Sequence, residues 1–190
     1  MSRTTKSVPL VLVALLALAG CSSSPAVEAD PTDAADPGTS AATGDTISGT
    51  GYSFQVPEGW GEPEQEIEGF DPDAFAADLD DADGFSDNVN VILSPAGEVT
   101  PEQVETLGVE ELEGVGATDV EIGDRITVAG SESAHLSAAL ASEGTEYVVD
   151  QFYVTADGQT YVVTFSFSPT VSDADRDEIA ESVLASWTWS

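Results

Sequence analysis

Hydrophobic and polar positions alternate through the second half of the chain and predict a β-sheet. Between Tyr161 and Phe167 the odd-numbered residues are apolar, whereas the even-numbered ones are mostly polar. Because successive side chains of a strand point to opposite faces, this segment predicts a strand with one apolar face. The strands predicted in this half cover about 118–128, 132–141, 145–155 and 159–168.

The first half of the chain has shorter patterns. Tyr52 to Val56 alternates and predicts a strand that Pro57 ends, and a second strand with Val89, Val91 and Leu93 on one face ends before Pro95. Between them, Asp71-Pro72-Asp73 predicts the start of a short helix. The apolar residues of that helix, spaced i, i+4, are Phe75 and Leu79.

Two further helices are predicted from capping residues. Thr100-Pro101-Glu102-Gln103 combines a capping threonine, a proline at the first helical position and a glutamine that completes a capping box. Its core-facing residues are predicted to be Val104, Leu107 and Leu112, and its end lies at Gly114 and Gly116. The last helix is predicted to begin after Ser172, with an apolar stripe at Ile179, Val183 and Trp187.

These elements predict one globular domain over residues 50–190. About 140 residues are enough for a single hydrophobic core. Most predicted strands follow one another directly, which favours antiparallel pairing, and helices precede and follow them. We therefore expect an α+β fold, an antiparallel β-sheet flanked by helices.

The N-terminus has the pattern of an export signal. Arg3 and Lys6 precede an apolar run from Val8 to Ala19, interrupted only by Pro9. This run of roughly twelve residues suits a signal peptide, and it is shorter than the about twenty residues of a membrane-spanning helix. Residues 1–20 are therefore predicted to be a signal peptide that is removed.

Leu18-Ala19-Gly20-Cys21 forms a lipobox, in which small residues precede the cysteine that receives a lipid. Cys21 is the only cysteine of the chain, so it has no disulfide partner within the chain, and acylation explains its presence. Two or more acyl chains anchor a protein stably. We expect a lipoprotein attached through Cys21 to the extracytoplasmic face of the cell membrane; an ordinary cleaved signal is the alternative.

Residues 21–49 are predicted to be a disordered acidic tether. They consist mainly of Ser, Ala, Asp, Thr, Gly and Pro and contain almost no large apolar residue. Such a segment cannot bury enough apolar surface to offset the entropy that folding costs. Its charged side chains are all negative, which favours an extended spacer.

The charge of the chain restricts its partners. The sequence has 36 Asp and Glu against 4 Lys and Arg, and Arg125 and Arg176 are the only permanent cations after residue 20. Phosphate contacts need Lys or Arg, so we expect no nucleic-acid partner. Anionic headgroups should also repel the domain, which leaves the lipid as its attachment. The acids could keep the protein soluble, adapt it to salt or bind cations diffusely.

Residues suited to catalysis or metal binding are few. His135, the only histidine, lies in a predicted strand beside Ser133 and Ser137, and the chain has no Gly-x-Ser-x-Gly motif. This arrangement favours a histidine packed on a sheet face over a hydrolase triad. One histidine does not make a zinc site, and the segment Asp78 to Gly84 lacks the EF-hand ligand spacing. We expect no cofactor and no metal, with an irregular calcium loop as a minor alternative.

Large aromatic residues could line a ligand cleft, but helix and strand spacing favours a place in the core. The residues concerned are Trp60, Tyr147, Tyr153, Trp187 and Trp189. Trp189 is the exception, because it lies beyond the stripe of the last helix. No ligand-binding residue is assigned from the sequence.

Three segments carry a resemblance to a known family. They are Tyr52 to Trp60, Gly158 to Phe165, and the final helix with Ser186-Trp187. Together they resemble the PsbP-like fold, and more narrowly the LpqN-type lipoproteins of actinobacteria. This resemblance implies an α/β/α sandwich over residues 50–190. It also implies a mostly non-enzymatic group that binds protein partners, of which some are proposed to assist envelope or photosystem assembly.

The expected function is therefore a non-enzymatic, membrane-anchored lipoprotein that binds an envelope protein or envelope component. Two alternatives remain open at this point. One is an envelope hydrolase that uses a pair of carboxylates, since so many acids must bring some together. The other is a module that binds a small ligand or a cation.

Overall fold

Strands form most of the regular structure. The computed structural model describes residues 39–64, 69–81, 84–142 and 144–190. In chain order the strands are β1 (Thr46–Gly49), β2 (Tyr52–Gln55), β3 (Trp60–Gly61), β4 (Ala74–Asp78), β5 (Asn88–Leu93), β6 (Thr118–Ile122), β7 (Ile126–Val128), β8 (Ser131–Ser142), β9 (Thr145–Ala156), β10 (Gln159–Phe167) and β11 (Thr188–Trp189). The helices are α1 (Pro101–Gln103), a π-helical turn (Val104–Gly108), α2 (Val109–Gly114) and α3 (Asp173–Ala185).

Antiparallel pairing joins these strands into a large and a small sheet. The large sheet has the order β3-β4-β5-β10-β9-β8-β6, with β7 paired to β8, and the small sheet has the order β1-β2-β11. Strands β8, β9 and β10 follow one another and are also neighbours in space. The predicted α+β fold, an antiparallel sheet flanked by helices, is confirmed.

The large sheet has a hydrophobic core on each face. On one face, the odd-numbered residues of β10 pack against the small sheet and α3, through side chains such as Phe54, Val183 and Trp187. On the other face, β8 and β9 pack against the segment from α1 to α2, through Val104 and Leu112. We call these the α3 face and the α2 face. Helices therefore cover both sides of the sheet, as in a sandwich.

The helix starts predicted at Thr100 and Ser172 are confirmed. At α1, Thr100 Oγ1 accepts a hydrogen bond from the Gln103 amide at 3.4 Å, and Gln103 Oε1 accepts one from the Thr100 amide at 2.9 Å. This is the reciprocal pair of a capping box. At α3, Ser172 Oγ accepts a hydrogen bond from the Asp175 amide at 3.3 Å.

The prediction that Leu107 faces the core is wrong, because Leu107 is 40 % exposed. The residue that faces the sheet there is Gly108, where an added Cβ would lie 2.8 Å from Leu136 Cδ1. Val104, Gly108 and Leu112 follow each other at four-residue steps along this side. The π-helical turn thus brings the backbone itself, rather than a leucine side chain, against β8.

The short helix predicted after Asp73 is wrong, because residues 74–78 form β4. Ala74 and Ala76 face the α3 core as partners of Val91 and Val89 on β5. Pairing with a buried strand outweighs the weak helical spacing of a short segment. The second residue of that spacing, Leu79, is 57 % exposed.

The boundary between tether and domain also requires a correction. The tether was predicted to end at residue 49, but β1 spans Thr46–Gly49 and pairs with β2. Ile47 is 3 % exposed, and the Ala42 amide donates to the Ser182 carbonyl on α3 at 2.9 Å. One buried isoleucine among polar residues is a weak sequence signal, which explains the error. The predicted signal peptide and the tether up to residue 38 lie outside the described residues.

The strand predicted over 118–128 is two strands, β6 and β7. The chain between them contains Gly123, whose amide donates to the His135 carbonyl at 2.9 Å, and Arg125, which forms ion pairs with acids on other elements. β6 also has an irregular register with β8 between Thr118 and Glu121. The interruption between β6 and β7 therefore allows these contacts of Gly123 and Arg125, which the alternation of apolar and polar residues does not predict.

Candidate functional site

A row of polar side chains crosses the α2 face of the large sheet. Gln151 on β9, Thr164 on β10 and Asn90 on β5 are direct neighbours in register and are 4, 3 and 5 % exposed. Gln151 Nε2 donates to Thr164 Oγ1 at 3.3 Å, and Asn90 Nδ2 donates to the Thr164 carbonyl at 3.4 Å. Buried amides are costly unless they are hydrogen-bonded, so these bonds stabilise the row.

Tyr153 extends this row towards the helical segment. Its hydroxyl donates to Gln151 Oε1 at 3.0 Å. Burial, together with the negative charge of Glu111, raises the pKa of Tyr153 far above its usual value, so the phenol stays protonated and remains a donor. A Cβ on Gly108 would lie 3.5 Å from the Tyr153 hydroxyl. We call Asn90, Gln151, Tyr153 and Thr164 the polar row.

Apolar side chains border the polar row. Val162 and Ile92, paired with each other in register, are only partly buried on the same face. Uncharged donors and acceptors beside accessible apolar groups suit an uncharged ligand with polar and apolar parts. The polar row was not predicted from the sequence. The sequence did contain an indication of it, because polar residues of β5 and β10 occupy strand positions that become buried when helices cover both faces of the sheet.

The opposite, α3 face carries a buried ion cluster of Asp150, His135 and Arg176. Asp150 Oδ1 lies 3.2 Å from His135 Nε2, and Asp150 Oδ2 accepts a hydrogen bond from Arg176 Nε at 3.0 Å. The Asp150 side chain is 4 % exposed, whereas those of His135 and Arg176 are 14 and 12 % exposed. Arg176 also pairs with exposed Asp173 at 3.0 Å. This cluster joins β8, β9 and α3.

Two carboxyl groups at the cluster have shifted pKa values. Burial alone would raise the pKa of Asp150, but hydrogen bonds from His135 and Ser137 and the attraction of His135 and Arg176 hold that pKa below its usual value. Burial and the negative charge of Asp150 raise the pKa of Asp177 on α3. Asp150 is therefore the anion around which the cluster is arranged.

His135 is confined by its neighbours. Its ring stacks on Phe152 with the ring centres 4.2 Å apart, and a Cβ on Gly123 would collide with Nδ1. A histidine acting as a general base needs a ring nitrogen directed at the group that it deprotonates. Here Nε2 is directed at the Asp150 carboxylate. The predicted position of His135 on a strand face is confirmed.

Arg125 forms the second ion cluster. Its guanidinium contacts Glu105 at 2.6 Å, Glu102 at 2.8 Å and Glu132 at 2.9 Å. These acids come from the helical segment and from β8, so Arg125 fastens one end of the α2 face. Both arginines of the described residues are thus engaged by carboxylates of the chain itself.

The aromatic residues considered for a ligand cleft do not line one common cleft. Trp60 and Trp187 lie in the core of the α3 face. Tyr147 lies on the α2 face and stacks on Phe85, and Tyr153 belongs to the polar row. Trp189 is partly buried, and its Nε1 donates to the Ala129 carbonyl at 3.3 Å. The three tryptophans thus lie on the α3 face, and the two tyrosines lie on the α2 face.

The predicted lipidation site, Cys21, lies outside the described residues, as does Asp83 of the segment that was the alternative calcium loop. Within the described ranges, no three His, Cys, Asp or Glu side chains are grouped so as to hold a metal ion. Among the residues that the structure describes, no helix is both long and apolar enough to cross a membrane.

No model of a protein family and no curated protein matches the chain. Solved structures do. Mog1p, a Ran-binding protein of Saccharomyces cerevisiae, has a TM-score of 0.52 at 12 % identity and covers 77 % of this chain and 96 % of its own. LpqN of Mycobacterium tuberculosis, described as involved in cell envelope biogenesis, has a TM-score of 0.51 at 18 % identity, over 75 % of this chain and 90 % of its own.

Two further structures are similar at lower scores. Cyanobacterial PsbP from Synechocystis sp. PCC 6803 has a TM-score of 0.47 at 17 % identity and covers 76 % of this chain and 93 % of its own. The chain spans about half, 49 %, of a Bacteroides thetaiotaomicron protein, at 14 % identity, a TM-score of 0.48 and 78 % coverage of this chain. At these identities the likeness shows the fold alone: the chain shares the antiparallel α+β architecture of LpqN and Mog1p, the two structures with TM-scores above 0.5.

Proposed function

We propose that the protein is a non-enzymatic lipoprotein, anchored to the extracytoplasmic face of the cell membrane through Cys21, that binds a protein or another component of the cell envelope. The lipobox supports the anchor. The fold shared with LpqN, a protein involved in cell envelope biogenesis, supports the envelope role.

One observation carries the non-enzymatic part of this proposal. The side chain best suited to acid–base chemistry is used to hold elements together: His135 converges with Arg176 on buried Asp150, and the three connect β8, β9 and α3. A catalytic histidine can give one ring nitrogen to a carboxylate only if the other is directed at a reacting group, and Nδ1 of His135 lies against the backbone of Gly123 instead. The cluster is therefore explained by packing, without a substrate.

A second candidate function follows from the polar row. Its amide and hydroxyl groups lie on the same sheet face as partly buried Val162 and Ile92, an arrangement suited to a small uncharged ligand. This candidate belongs to the same non-enzymatic class. A bound ligand that is recovered with the purified protein, and is lost when Thr164 and Asn90 are changed to Val and Leu, would favour it over protein binding.

Photo-crosslinking in living cells tests the partner. A photoreactive amino acid is placed at exposed Leu107, Ile122 or Ala174 in the host of origin, and crosslinked species are identified by mass spectrometry. We expect a defined protein or envelope component from at least one position. The same substitutions in a Cys21→Ser chain, which lacks the anchor, provide the control. If no position captures a partner above background, the proposed function is wrong.

Exchange of Cys21 tests the anchor separately. Because the sulfur of Cys21 is the proposed site of acylation, Cys21→Ser is expected to abolish labelling by a radioactive fatty acid and to move the protein out of the membrane fraction. A Ser22→Ala chain, altered at the adjacent residue, should remain labelled and membrane-bound. Fatty-acid labelling that persists in Cys21→Ser would refute the anchor.

A further inference from the structure

A surface cavity lies between the start of the folded domain and α3. Its volume is about 390 Å³, within the range of about 300–1,000 Å³ usual for ligand pockets. It is lined by Thr39, Ser40 and Pro57 on one side and by Asp175, Glu178, Ile179 and Ser182 on the other. This cavity is remote from the polar row, because α3 lies on the opposite face of the sheet.

Hydrogen bonds hold the two walls of the cavity together. Thr39 Oγ1 donates to Glu181 Oε2 at 2.7 Å, and the Ala42 amide donates to the Ser182 carbonyl at 2.9 Å. The segment 39–42 is therefore attached to α3 at two points. The cavity is a built feature of the folded domain rather than a gap beside a loose strand.

The lining combines hydrogen-bond acceptors with apolar surface. Asp175 and Glu178 provide two carboxylates, one turn apart on α3. The Ser182 hydroxyl donates to the Ile179 carbonyl at 2.8 Å, so towards the cavity it offers lone pairs. Pro57 and Ile179 provide the apolar part. Ammonium and guanidinium groups are pure donors carried on apolar stems, and they match this lining.

We propose that this cavity receives a lysine or arginine side chain of a partner protein. The inference rests on the proposed protein-binding function and assigns a chemistry to the partner. The side chain's stem lies on Pro57 and Ile179, and its charged head reaches the carboxylates of Asp175 and Glu178.

The charge distribution of the chain indicates that this cation comes from a different protein. Residues 22–38, which lead directly to Thr39, contain acids and no lysine or arginine. After residue 20 only Arg125 and Arg176 are cationic, and both are already bound by carboxylates of their own chain. Neither the upstream segment nor a second copy therefore supplies a free cationic side chain.

Nuclear magnetic resonance titration tests this proposal. The chain from residue 21, with Cys21→Ser and labelled with ¹⁵N, is titrated with N-acetyl-arginine amide. We expect saturable shifts of the Ser40, Ile179 and Ser182 amides, with millimolar affinity. N-acetyl-citrulline amide, which has a similar shape but no charge, should give no saturable shift at these amides.

Matched double variants locate the effect. Asp175→Asn with Glu178→Gln should weaken arginine binding by about tenfold or more, whereas Glu110→Gln with Glu113→Gln on α2 should leave it unchanged. The two residues of each pair are exposed and three positions apart, and each double substitution removes two negative charges. Unchanged amide spectra away from the substitutions verify the fold of each variant.

Three results would overturn the inference. They are equal weakening by both double variants, equal binding of citrulline, and shifts caused at these amides by calcium chloride but not by arginine. A partner captured by crosslinking together with any of these results would refute the cavity's role while retaining the proposed function. Failure of crosslinking alone would refute the proposed function and leave an arginine site without an assigned partner.

Discussion

Replacing Arg176 with methionine is expected to lower the free energy of unfolding by about 3–5 kcal/mol. The change removes the guanidinium that binds Asp150 Oδ2 and keeps a side chain of similar length. Asp150, with 4 % of its side chain exposed, would retain His135 and Ser137 but lose its permanent counter-charge. A buried charge that loses its partner keeps the cost of its dehydration, and this cost explains the size of the effect.

Arg125 offers a matched control, because it is the other arginine of the described residues. Its partners Glu102, Glu105 and Glu132 have side chains that are 58, 23 and 35 % exposed, so Arg125→Met is expected to cost only about 1 kcal/mol. Urea unfolding at constant ionic strength, followed by tryptophan fluorescence, measures both. Equal losses in the two variants would contradict a special role for buried Asp150.

The Arg176→Met variant should also respond differently to acid. The pKa of Asp150 is depressed in the folded protein, so its contribution to stability is present above the unfolded pKa of about 3.9 and is lost as the pH falls through the folded pKa. Without Arg176 the folded pKa of Asp150 rises, which reduces this contribution, although the hydrogen bonds from His135 and Ser137 remain. The stability difference between wild type and variant should therefore shrink as the pH falls below about 4. A difference that stays constant to pH 2 would contradict this linkage.

Local sequence rules predicted the elements in which short-range chemistry determines the structure. The capping box at Thr100 and the cap at Ser172 need only residues within one helical turn, and both form as expected. Strand β10 was predicted correctly because its alternation runs from Tyr161 to Phe167 and separates two faces that are both covered. The position of His135 on a strand followed from the same kind of pattern.

Elements that depend on distant pairing were missed. β1 and β4 become strands because β2 and β5 are available as neighbours, which a segment of four or five residues does not reveal. The ion cluster needs the register of β8 with β9, since that register places Ser137 opposite Asp150 and His135 opposite Phe152. The polar row likewise needs β5, β10 and β9 in a known order. The ion cluster and the polar row therefore both depend on the register between strands, which the sequence of a single strand does not show.

Replacing Trp187 with alanine is expected to cost about 3–5 kcal/mol of unfolding free energy. Trp187 is 4 % exposed and stacks on Tyr52 and Phe54, with ring centres 4.3 and 5.5 Å away. These two residues lie on β2, so the indole packs the small sheet against the end of α3. Truncation removes this packing and leaves a cavity in the α3 face, which explains the size of the effect.

Two control variants show whether the loss of stability comes from the packing of Trp187 or would follow the loss of any tryptophan. Its indole N–H is buried and has no hydrogen-bond partner among the described residues, so Trp187→Phe keeps a ring, removes an unpaired donor and should cost less than half as much. Trp189→Ala, at a partly exposed site, should also cost less. Because tryptophan is the fluorescent probe, far-ultraviolet circular dichroism must follow the unfolding. If Trp187→Ala were no worse than Trp189→Ala, the stack would not be what holds the small sheet to α3.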